Sequence, residues 1–547
     1  MHTSTTRSIR SLHIQSTDVL VLGCGVAGYQ AAGAAARGGA SVSIVGLAKG
    51  ASPFILGFNA CLENGHQEDS IDQFHNDVFQ GGYEIADLSL VQTITQQARE
   101  AFTELQALGV PFETNCGQPA LRHLSGSRYP RSVYVKSGTG NAILGAISKA
   151  AIGLGVKECL GLRAISLIKI GDRVCGALTL QRHTGELTAF LAGSTVLATG
   201  GIGGLYSDST YPADVGGDSY ALALDAGATL VDMEFVQFEP TVVSTPAAVR
   251  GMEMPTAMLG DGAIMTNSLG ERFMCRYNPP NCEKQIEKAK MALFIQKEID
   301  EGRGTDNGSV YFDATGLTQE CLHGYVTHFR RLVKAGVDPS STPIQVHPAA
   351  HSLMGGVKIN HQCHSGVQGL FVCGEAAGGV HGASRIAGNG ASDAIVFGRV
   401  AGKYAQQTLM PLTPTYISRA KEIAQTCFEQ AQKSRPAKPA PSYLQLIPKI
   451  MAAKVGIRRS GASIGEAVDS LQALLAEIQS TWDGSPFHPL ADARAAALVG
   501  LSIAGSALKR EESRGAHFRT DFPTRNDAQW KRSNLAHLND RKELVIS

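Results

Sequence analysis

The sequence of 547 residues lacks three features that would each place it in a broad class of protein. It has no excess charge, because 49 Lys and Arg residues balance 48 Asp and Glu residues, so no global field attracts nucleic acid or an anionic membrane. It has no run approaching the roughly 20 apolar residues that span a bilayer, and no apolar segment follows its basic N-terminal residues as in a secretory signal. We therefore expect a cytoplasmic protein that neither binds nucleic acid nor inserts into a membrane, although a partner could hold it beside one.

The cysteines lack the spacing of a metal cluster or of a disulfide framework. Eleven are present without a CxxC pair, which argues against a ferredoxin-type iron–sulfur cluster and favours reduced thiols for most of them. His361, Cys363 and His364 lie close together, but no fourth ligand is evident. We expect no metal site.

Glycine, by contrast, is abundant: the 61 glycines gather in short clusters between apolar runs, which is typical of an α/β protein whose loops bring backbone close to a ligand. The first cluster has the pattern GxGxxG at residues 23–28, between apolar runs at 18–22 and 41–45. This order predicts a strand, a tight turn, a helix and a second strand, with a dinucleotide pyrophosphate at the helix N-terminus. The acid that usually binds the ribose is replaced by Gly46, so backbone groups and Lys49 are expected to hold the ribose.

Two later apolar runs end in glycine clusters of the same kind. Residues 195–198 lead into Thr199 and Gly200, and residues 370–373 lead into Gly374 and Glu375. Strands therefore return to the first core late in the sequence, and the interval between these two runs is expected to contain an inserted second domain. Beyond residue 402 the apolar residues take helical spacing, which predicts a C-terminal helical domain.

The segment 369–394, GLFVCGEAAGGVHGASRIAGNGASDA, is the most specific motif in the chain. It resembles the signature of the flavoprotein subunits of succinate dehydrogenase and fumarate reductase, with L-aspartate oxidase and the adenylylsulfate reductase flavoprotein as relatives. Other segments agree, so that the resemblance covers roughly residues 16–530: DMEFVQF at 232–238, HSLMGGV at 351–357 and ESRGAHFR at 512–519. It implies an α/β fold with a Rossmann-like FAD-binding domain (1–238 and 346–405), an inserted α+β capping domain (239–345), a C-terminal helical domain (406–508) and a tail (509–547).

The resemblance also implies the cofactor, FAD. Glu375 is expected to hold the ribose chain of FAD, and the helix that begins near residues 390–392 to point its N-terminus at the pyrimidine edge of the flavin, where its dipole stabilises the charge of the reduced ring. Family members that attach FAD covalently use a histidine that is absent from residues 49–61, so noncovalent FAD is expected. The predicted FAD-binding residues are Gly23, Gly25, Ala27, Gly28, Lys49, Gly57, Ala198, Thr199, Gly200, Asp218, Gly374, Glu375, Asn389 and Ser392.

Family enzymes that act on dicarboxylates use two histidines, a Thr-Glu pair, a clamping arginine and a proton-donating arginine. His351 and Arg385 match one histidine and the clamp, whose planar fork suits a carboxylate. Glu239 replaces the other histidine, the Thr-Glu pair aligns with Pro-Thr at 255–256, and the proton donor falls on Lys288. Two structural alternatives stay open, because Glu239 could form a buried ion pair with Lys288 or Arg250, and Lys288 could lie on a solvated helix face.

A carboxylate at Glu239 would repel one carboxylate of succinate or fumarate. The sequence therefore predicts an FAD-dependent oxidoreductase that transfers hydride between the flavin and a C=C or CH–CH bond of a small carboxylate-bearing substrate other than these two. The alternatives are an oxidase resembling L-aspartate oxidase and a flavin electron-transfer protein without a substrate, whereas a plain NAD dehydrogenase has no use for the 369–394 segment. By resemblance, an iron–sulfur or haem partner is expected to exchange electrons with the flavin.

Overall fold

The fold is taken from a computed structural model, which describes residues 11–181, 183–212, 214–433, 441–481 and 490–547. The sequence is proline-rich at 434–442, and residues 434–440 of this stretch lie outside the described residues. The strands are β1 (Leu12–Leu22), β2 (Val42–Gly46), β3 (Phe58–Asn59), β4 (Thr114–Asn115), β5 (Gln118–Pro119), β6 (Ser132–Val133), β7 (Lys157–Leu160), β8 (Leu162–Ile170), β9 (Arg173–Gln181), β10 (Glu186–Leu197), β11 (Leu230–Val231), β12 (Val236–Thr245), β13 (Ile264–Thr266), β14 (Val310–Asp313), β15 (Ile344–Leu353), β16 (Gly356–Lys358), β17 (Leu370–Val372), β18 (Ala377–Gly378), β19 (Arg458–Arg459), β20 (Phe518–Arg519), β21 (Leu535–Leu538) and β22 (Leu544–Ile546). The α-helices are α1 (Val26–Arg37), α2 (Ile71–Gly81), α3 (Leu88–Ala107), α4 (Thr139–Gly153), α5 (Asp218–Ala226), α6 (Ala257–Asp261), α7 (Met274–Tyr277), α8 (Lys288–Glu298), α9 (Gln319–Gly324), α10 (Val326–Lys334), α11 (Asn389–Gln407), α12 (Pro414–Lys433), α13 (Pro441–Lys454), α14 (Gly461–Thr481), α15 (Ala491–Lys509) and α16 (Asp527–Trp530).

The main sheet has seven strands in the order β7-β2-β1-β10-β9-β8, with β17 also paired to β10. The pairs β1–β2, β1–β10, β10–β17 and β2–β7 are parallel. Parallel strands covered on both faces read as continuous apolar runs, and residues 19–22 of β1 are at most 1% exposed. Helices α1 and α11 pack together on this sheet, where a side chain on Gly402 would overlap the backbone of Ala31. The predicted α/β, Rossmann-like fold is confirmed.

A second hydrophobic core packs on the sheet that contains β12 and β15. These two strands pair antiparallel and belong to a four-stranded sheet of order β12-β15-β14-β13. Its apolar cluster, which includes Met265, Phe273 and Phe312, is separate from the cluster of the main sheet. Both β12 and β15 continue past the boundaries drawn from the sequence at residues 239 and 345, so the same strands connect the two cores.

The C-terminal helices α13, α14 and α15 pack on one another. Helix α15 is long and apolar enough to cross a membrane by length and composition, which the sequence analysis did not expect. Because 67% of its apolar window is buried inside the protein, this helix serves as a core element in the described structure.

One disulfide joins Cys275 in α7 to Cys282 in the segment between α7 and α8. The sequence contained no signal for it, because its spacing fits no recognised framework. The nine other cysteines are free thiols, as expected for most of them.

Candidate active site

The turn between β1 and α1 contacts the backbone of a second glycine-rich loop, which follows β10. Gly23 has a φ of 117°, which favours glycine, and a side chain there would overlap the carbonyl of Ala198. A side chain on Gly28 would overlap the carbonyl of Gly23, so the first turn of α1 sits directly on the loop. Helix α1 therefore begins directly after its N-cap residue Gly25. The glycine-lined space at this N-terminus, here called the cradle, would be filled by any added Cβ. This close backbone approach fits a dinucleotide pyrophosphate.

The start of α11 closes the opposite side of this cradle. Asn59 donates through Nδ2 to Oδ1 of Asn389 (2.8 Å) and through its backbone N–H to the hydroxyl of Ser392 (3.0 Å). Asn389 and Ser392 are buried, and Nδ2 of Asn389 has no hydrogen-bond partner. A buried amide donor at the N-terminus of a 19-residue helix suits an anionic or acceptor-rich group such as the flavin ring. Sequence analysis missed Asn59, whose only signal was a polar residue in the apolar stretch after Gly57.

The two acidic residues among the predicted FAD-binding residues already have protein partners. The Oε1 atom of Glu375 accepts hydrogen bonds from the hydroxyl of Tyr211 and from the backbone N–H of Leu353 (2.9 Å). The carboxylate of Asp218 forms a two-point ion pair with Arg163, at 2.5 and 2.9 Å. Asp218 is therefore paired within the protein, and one carboxylate oxygen of Glu375 is hydrogen-bonded to protein groups.

The remaining predicted FAD-binding residues are distributed around the cradle. Ala27 contacts Gly374, since a side chain on Gly374 would lie 2.8 Å from its Cβ. Thr199 shares a hydrogen bond with Ser219, and neighbouring Gly200 has a left-handed φ of 80°. Gly57 packs tightly on Ser132, whereas Lys49 is exposed.

The four predicted catalytic residues come from four separate segments. Glu239 on β12 and His351 on β15 lie on neighbouring strands, and Nε2 of His351 is 3.8 Å from a carboxylate oxygen of Glu239. Lys288 is the first residue of α8, and its ammonium forms an ion pair with Glu239. Of the two structural alternatives for Glu239, the ion pair with Lys288 is therefore present. The Lys288 side chain is 18% exposed and that of Glu239 only 1%, so Lys288 is no part of a solvated face.

Glu253 is a site residue that the sequence analysis missed. It lies opposite Val242 of β12 and its carboxylate is 3.3 Å from Nδ1 of His351. The hydroxyl of Thr210 is 2.9 Å from the same nitrogen. Burial alone would raise the pKa of Glu253, but His351 and Lys288 together hold it at about 2, so the carboxylate is ionised at neutral pH. His351 therefore has a carboxylate on each side of its ring.

Arg385 differs from the other charged groups of the site because no carboxylate balances it. Its guanidinium makes a 3.4 Å contact with Oε1 of Gln237, and its Nε has no hydrogen-bond partner. Within the described part of the chain no acidic side chain lies at ion-pair distance from it. Gln237 and Glu239 are two residues apart on β12, a rise of about 7 Å, so Arg385 and Lys288 contact the same short stretch of strand.

These contacts show which of the arrangements left open for Glu239 is present. Glu239 was expected to repel a second substrate carboxylate, but its charge is already balanced by Lys288 and faced by His351. Glu239, Glu253 and His351 lie within 4.8 Å of one another and form the single cation-ligand group found among the described residues. Because the carboxylate of Glu239 is already paired with the ammonium of Lys288, we assign no metal to this group.

Comparisons with known proteins agree with the FAD-binding fold. Residues 18–391 match the model of the FAD binding domain family, and residues 445–546 match that of the fumarate reductase flavoprotein C-terminal domain. The chain is 33% identical to one of the subunits of the fumarate reductase (CoM/CoB) of Methanothermobacter marburgensis, over 96% of this chain and 97% of that protein. It is also 33% identical to an L-aspartate oxidase of Xylella fastidiosa, over 83% and 82% of the two chains. Among solved structures, a mutated FrdA chain of the Escherichia coli quinol fumarate reductase superposes with a TM-score of 0.89 at 25% identity, covering 98% of this chain and 96% of that chain.

Proposed function

Because the chain belongs to the family of FAD-dependent oxidoreductases that includes fumarate reductase flavoproteins and L-aspartate oxidases, we propose that it transfers hydride between FAD and a C=C or CH–CH bond of a small carboxylate-bearing substrate. The observation that carries this proposal is the unbalanced charge of Arg385, which is half-buried and keeps one N–H without a partner. A partly desolvated cation gains stability from a counter-charge, and a planar guanidinium fits a carboxylate at two points. A substrate carboxylate supplies that counter-charge.

Residues of the chain bind the substrate and transfer the proton. Bound FAD supplies the hydride acceptor or donor. Arg385 binds and orients the substrate carboxylate beside the N-terminus of α11. Lys288 gives a proton to the second carbon in the reductive direction, or takes one from it in the oxidative direction, and exchanges it with solvent between turnovers. Glu239 stabilises the ammonium form of Lys288, and His351 faces the other side of that carboxylate.

The second end of the substrate meets a mixed set of charges. Lys288 and His351 can donate hydrogen bonds to it, while Glu253 can accept one. A hydroxyl, an amine or a second carboxylate fits such a surface, so the proposed class is small carboxylates with a polar group at the far end. Fumarate itself is the second candidate, favoured by the pairing of Glu239 with Lys288 and by the reaction in the name of the M. marburgensis relative.

A spectral titration tests both candidates. Small carboxylates, including fumarate, succinate, L-aspartate and 2-hydroxy acids, are added to the purified yellow protein while the flavin difference spectrum is followed. A substrate should perturb the spectrum in the native protein and fail to do so after Arg385→Ala. If none of the carboxylates perturbs the flavin, a substrate-free electron-transfer role becomes the better account. Hydrogen peroxide formed with L-aspartate would instead favour the oxidase.

We further propose that a separate redox protein exchanges electrons with the flavin. The cysteines of this sequence have no cluster-binding spacing, and a relative from Rickettsia conorii is named as a flavoprotein subunit. An iron–sulfur or haem protein is the proposed partner. Reduction of the isolated protein by NADH at the rate of turnover would remove the need for it.

A further inference from the structure

The turn after α2 holds two consecutive residues in a backbone conformation that side chains rarely adopt. Tyr83 has a φ of 58° and Glu84 a φ of 61°. Neither is glycine, and a residue with a side chain stays in this region only where its surroundings fix it. Such segments gather where a protein positions functional groups.

The turn is fixed by the C-terminal tail. The carbonyl of Tyr83 accepts a hydrogen bond from Nη1 of Arg514 (2.9 Å), whose side chain is fully buried. The carboxylate of Glu84 pairs with Arg525 and, at 3.4 Å, with Lys531. Three cationic side chains of the tail therefore hold the turn in place.

The turn is also bonded to the loop that carries Arg385. The carbonyl of Gly82 accepts from the backbone N–H of Ala383 (2.9 Å), two residues before Arg385. A side chain on Gly382 would overlap the carbonyl of Gly82, so the two backbones are in direct contact. The position of Tyr83 is therefore coupled to that of the carboxylate clamp.

From this turn the Tyr83 side chain reaches the helix that carries Lys288. Its hydroxyl donates to Oε2 of Glu287 at 2.7 Å, and Glu287 is the N-cap residue that directly precedes Lys288. The segment that precedes α8 is anchored a second time, because the carbonyl of Ile286 accepts a hydrogen bond from the hydroxyl of Ser125 (3.0 Å). Burial and the neighbouring Glu287 raise the pKa of Tyr83, so the hydroxyl remains a donor at neutral pH.

We propose that Tyr83 is a positioning residue. Its hydrogen bond to Glu287, here called the latch, holds the start of α8 in place and so sets the distance of Lys288 from Arg385. The inference rests on the proposed function only for the role of Lys288 as proton donor. The latch itself is a structural relation between the turn 82–84 and the start of α8, and it exists whatever the substrate is.

The test compares Tyr83→Phe with Tyr443→Phe in the FAD-loaded protein. Tyr443 donates a more exposed hydrogen bond to Glu477 (2.6 Å), between α13 and α14, and so controls for the loss of one tyrosine hydroxyl. Amide hydrogen exchange over residues 286–298 should become at least about fivefold faster in Tyr83→Phe and stay unchanged in Tyr443→Phe. Unchanged exchange in Tyr83→Phe overturns the latch, and this readout needs no substrate.

Kinetics then test the positioning role. With any substrate that the native protein turns over, Tyr83→Phe should lower kcat by about tenfold with little change in KM, because Arg385 still binds the carboxylate while the proton donor is misplaced. Glu287→Gln, which keeps an acceptor oxygen for the hydroxyl, should retain most of kcat. Faster exchange of α8 without a fall in kcat overturns the positioning role. If the native protein turns over no carboxylate, the proposed function fails and hydrogen exchange alone decides the latch.

Discussion

The ammonium of Lys288 lies against the carboxylate of Glu239, where the first turn of α8 meets β12. Glu239 is 1% exposed, so without this cation its charge would be buried and unbalanced on that side. The pair decides which charges a substrate meets, because Glu239 is turned toward Lys288 and His351, whereas Arg385 remains available.

Removal of Lys288 should therefore affect stability as well as activity. Lys288→Met leaves Glu239 as a buried carboxylate, and we expect the free energy of unfolding to fall by about 3 kcal/mol. Adding Glu239→Gln should recover most of this stability but none of the activity, because the proton donor stays absent. Urea denaturation followed by circular dichroism provides the measurement. Lys297→Met, which removes an exposed lysine from the same helix, is the control, and an equal stability loss in both variants contradicts the assignment.

Arg385 should be essential for turnover but not for cofactor binding. Arg385→Ala removes a charge-assisted contact worth about 2–5 kcal/mol, or roughly thirtyfold to several thousandfold in rate. Arg385→Lys should recover only part, because an ammonium cannot bind a carboxylate at two points. The flavin-to-protein absorbance ratio should be unchanged in both variants. Arg399→Ala, in which a partly exposed arginine of α11 is lost, serves as the control, and full activity in Arg385→Ala would falsify the carboxylate clamp.

The glycine cradle can be tested by a steric substitution. Gly23→Ala places a Cβ against the carbonyl of Ala198, so FAD binding should be lost or weakened by at least about tenfold. Gly39→Ala is a matched control, because Gly39 also has a left-handed φ (89°) but nothing lies within 4 Å of its added Cβ. The FAD content of the two purified proteins distinguishes the close contact from backbone strain alone. Equal FAD content in both would contradict the cradle.

Glu253 should make stability depend on pH in the acid range. Its pKa is lowered to about 2 in the folded protein from a usual value of 4.5, so its contribution to stability is fully present above pH 4.5 and is lost as the pH falls toward 2. Glu253→Gln should be less stable than the native protein at neutral pH, by up to about 3 kcal/mol, and the difference should shrink below pH 4. Thermal unfolding of both proteins from pH 3 to pH 7 checks this. A difference that does not change with pH would show that Glu253 acts through packing.

FAD should be removable without cleavage of a covalent bond. No histidine occurs in residues 49–61, where covalently flavinylated relatives are expected to carry one. Acid precipitation should therefore leave all of the yellow colour in the supernatant. Colour retained in the pellet after washing would show a covalent link.

The FAD fold could be predicted from the sequence because its signals are local. The GxGxxG turn at 23–28 and the 369–394 segment are continuous stretches whose glycines allow close contacts, as the contact of Gly23 with the backbone of Ala198 illustrates. Arg385 and His351 could be identified for the same reason, since each lies in such a stretch. Asn59, Tyr83 and Glu253 could not, because each reaches the site from a segment without a motif.

The sequence by itself determined the fold, the cofactor and the identity of the charged groups. Only the tertiary structure decided what those charges do. Folding places Glu239 against Lys288, which is one of the arrangements that the sequence left open, and it pairs Asp218, a predicted FAD-binding residue, with Arg163. The reason is electrostatic: a residue's charge is fixed by its chemistry, but the free energy of that charge depends on burial and on the distance to the nearest opposite charge. Both quantities are set by segments far apart in the chain.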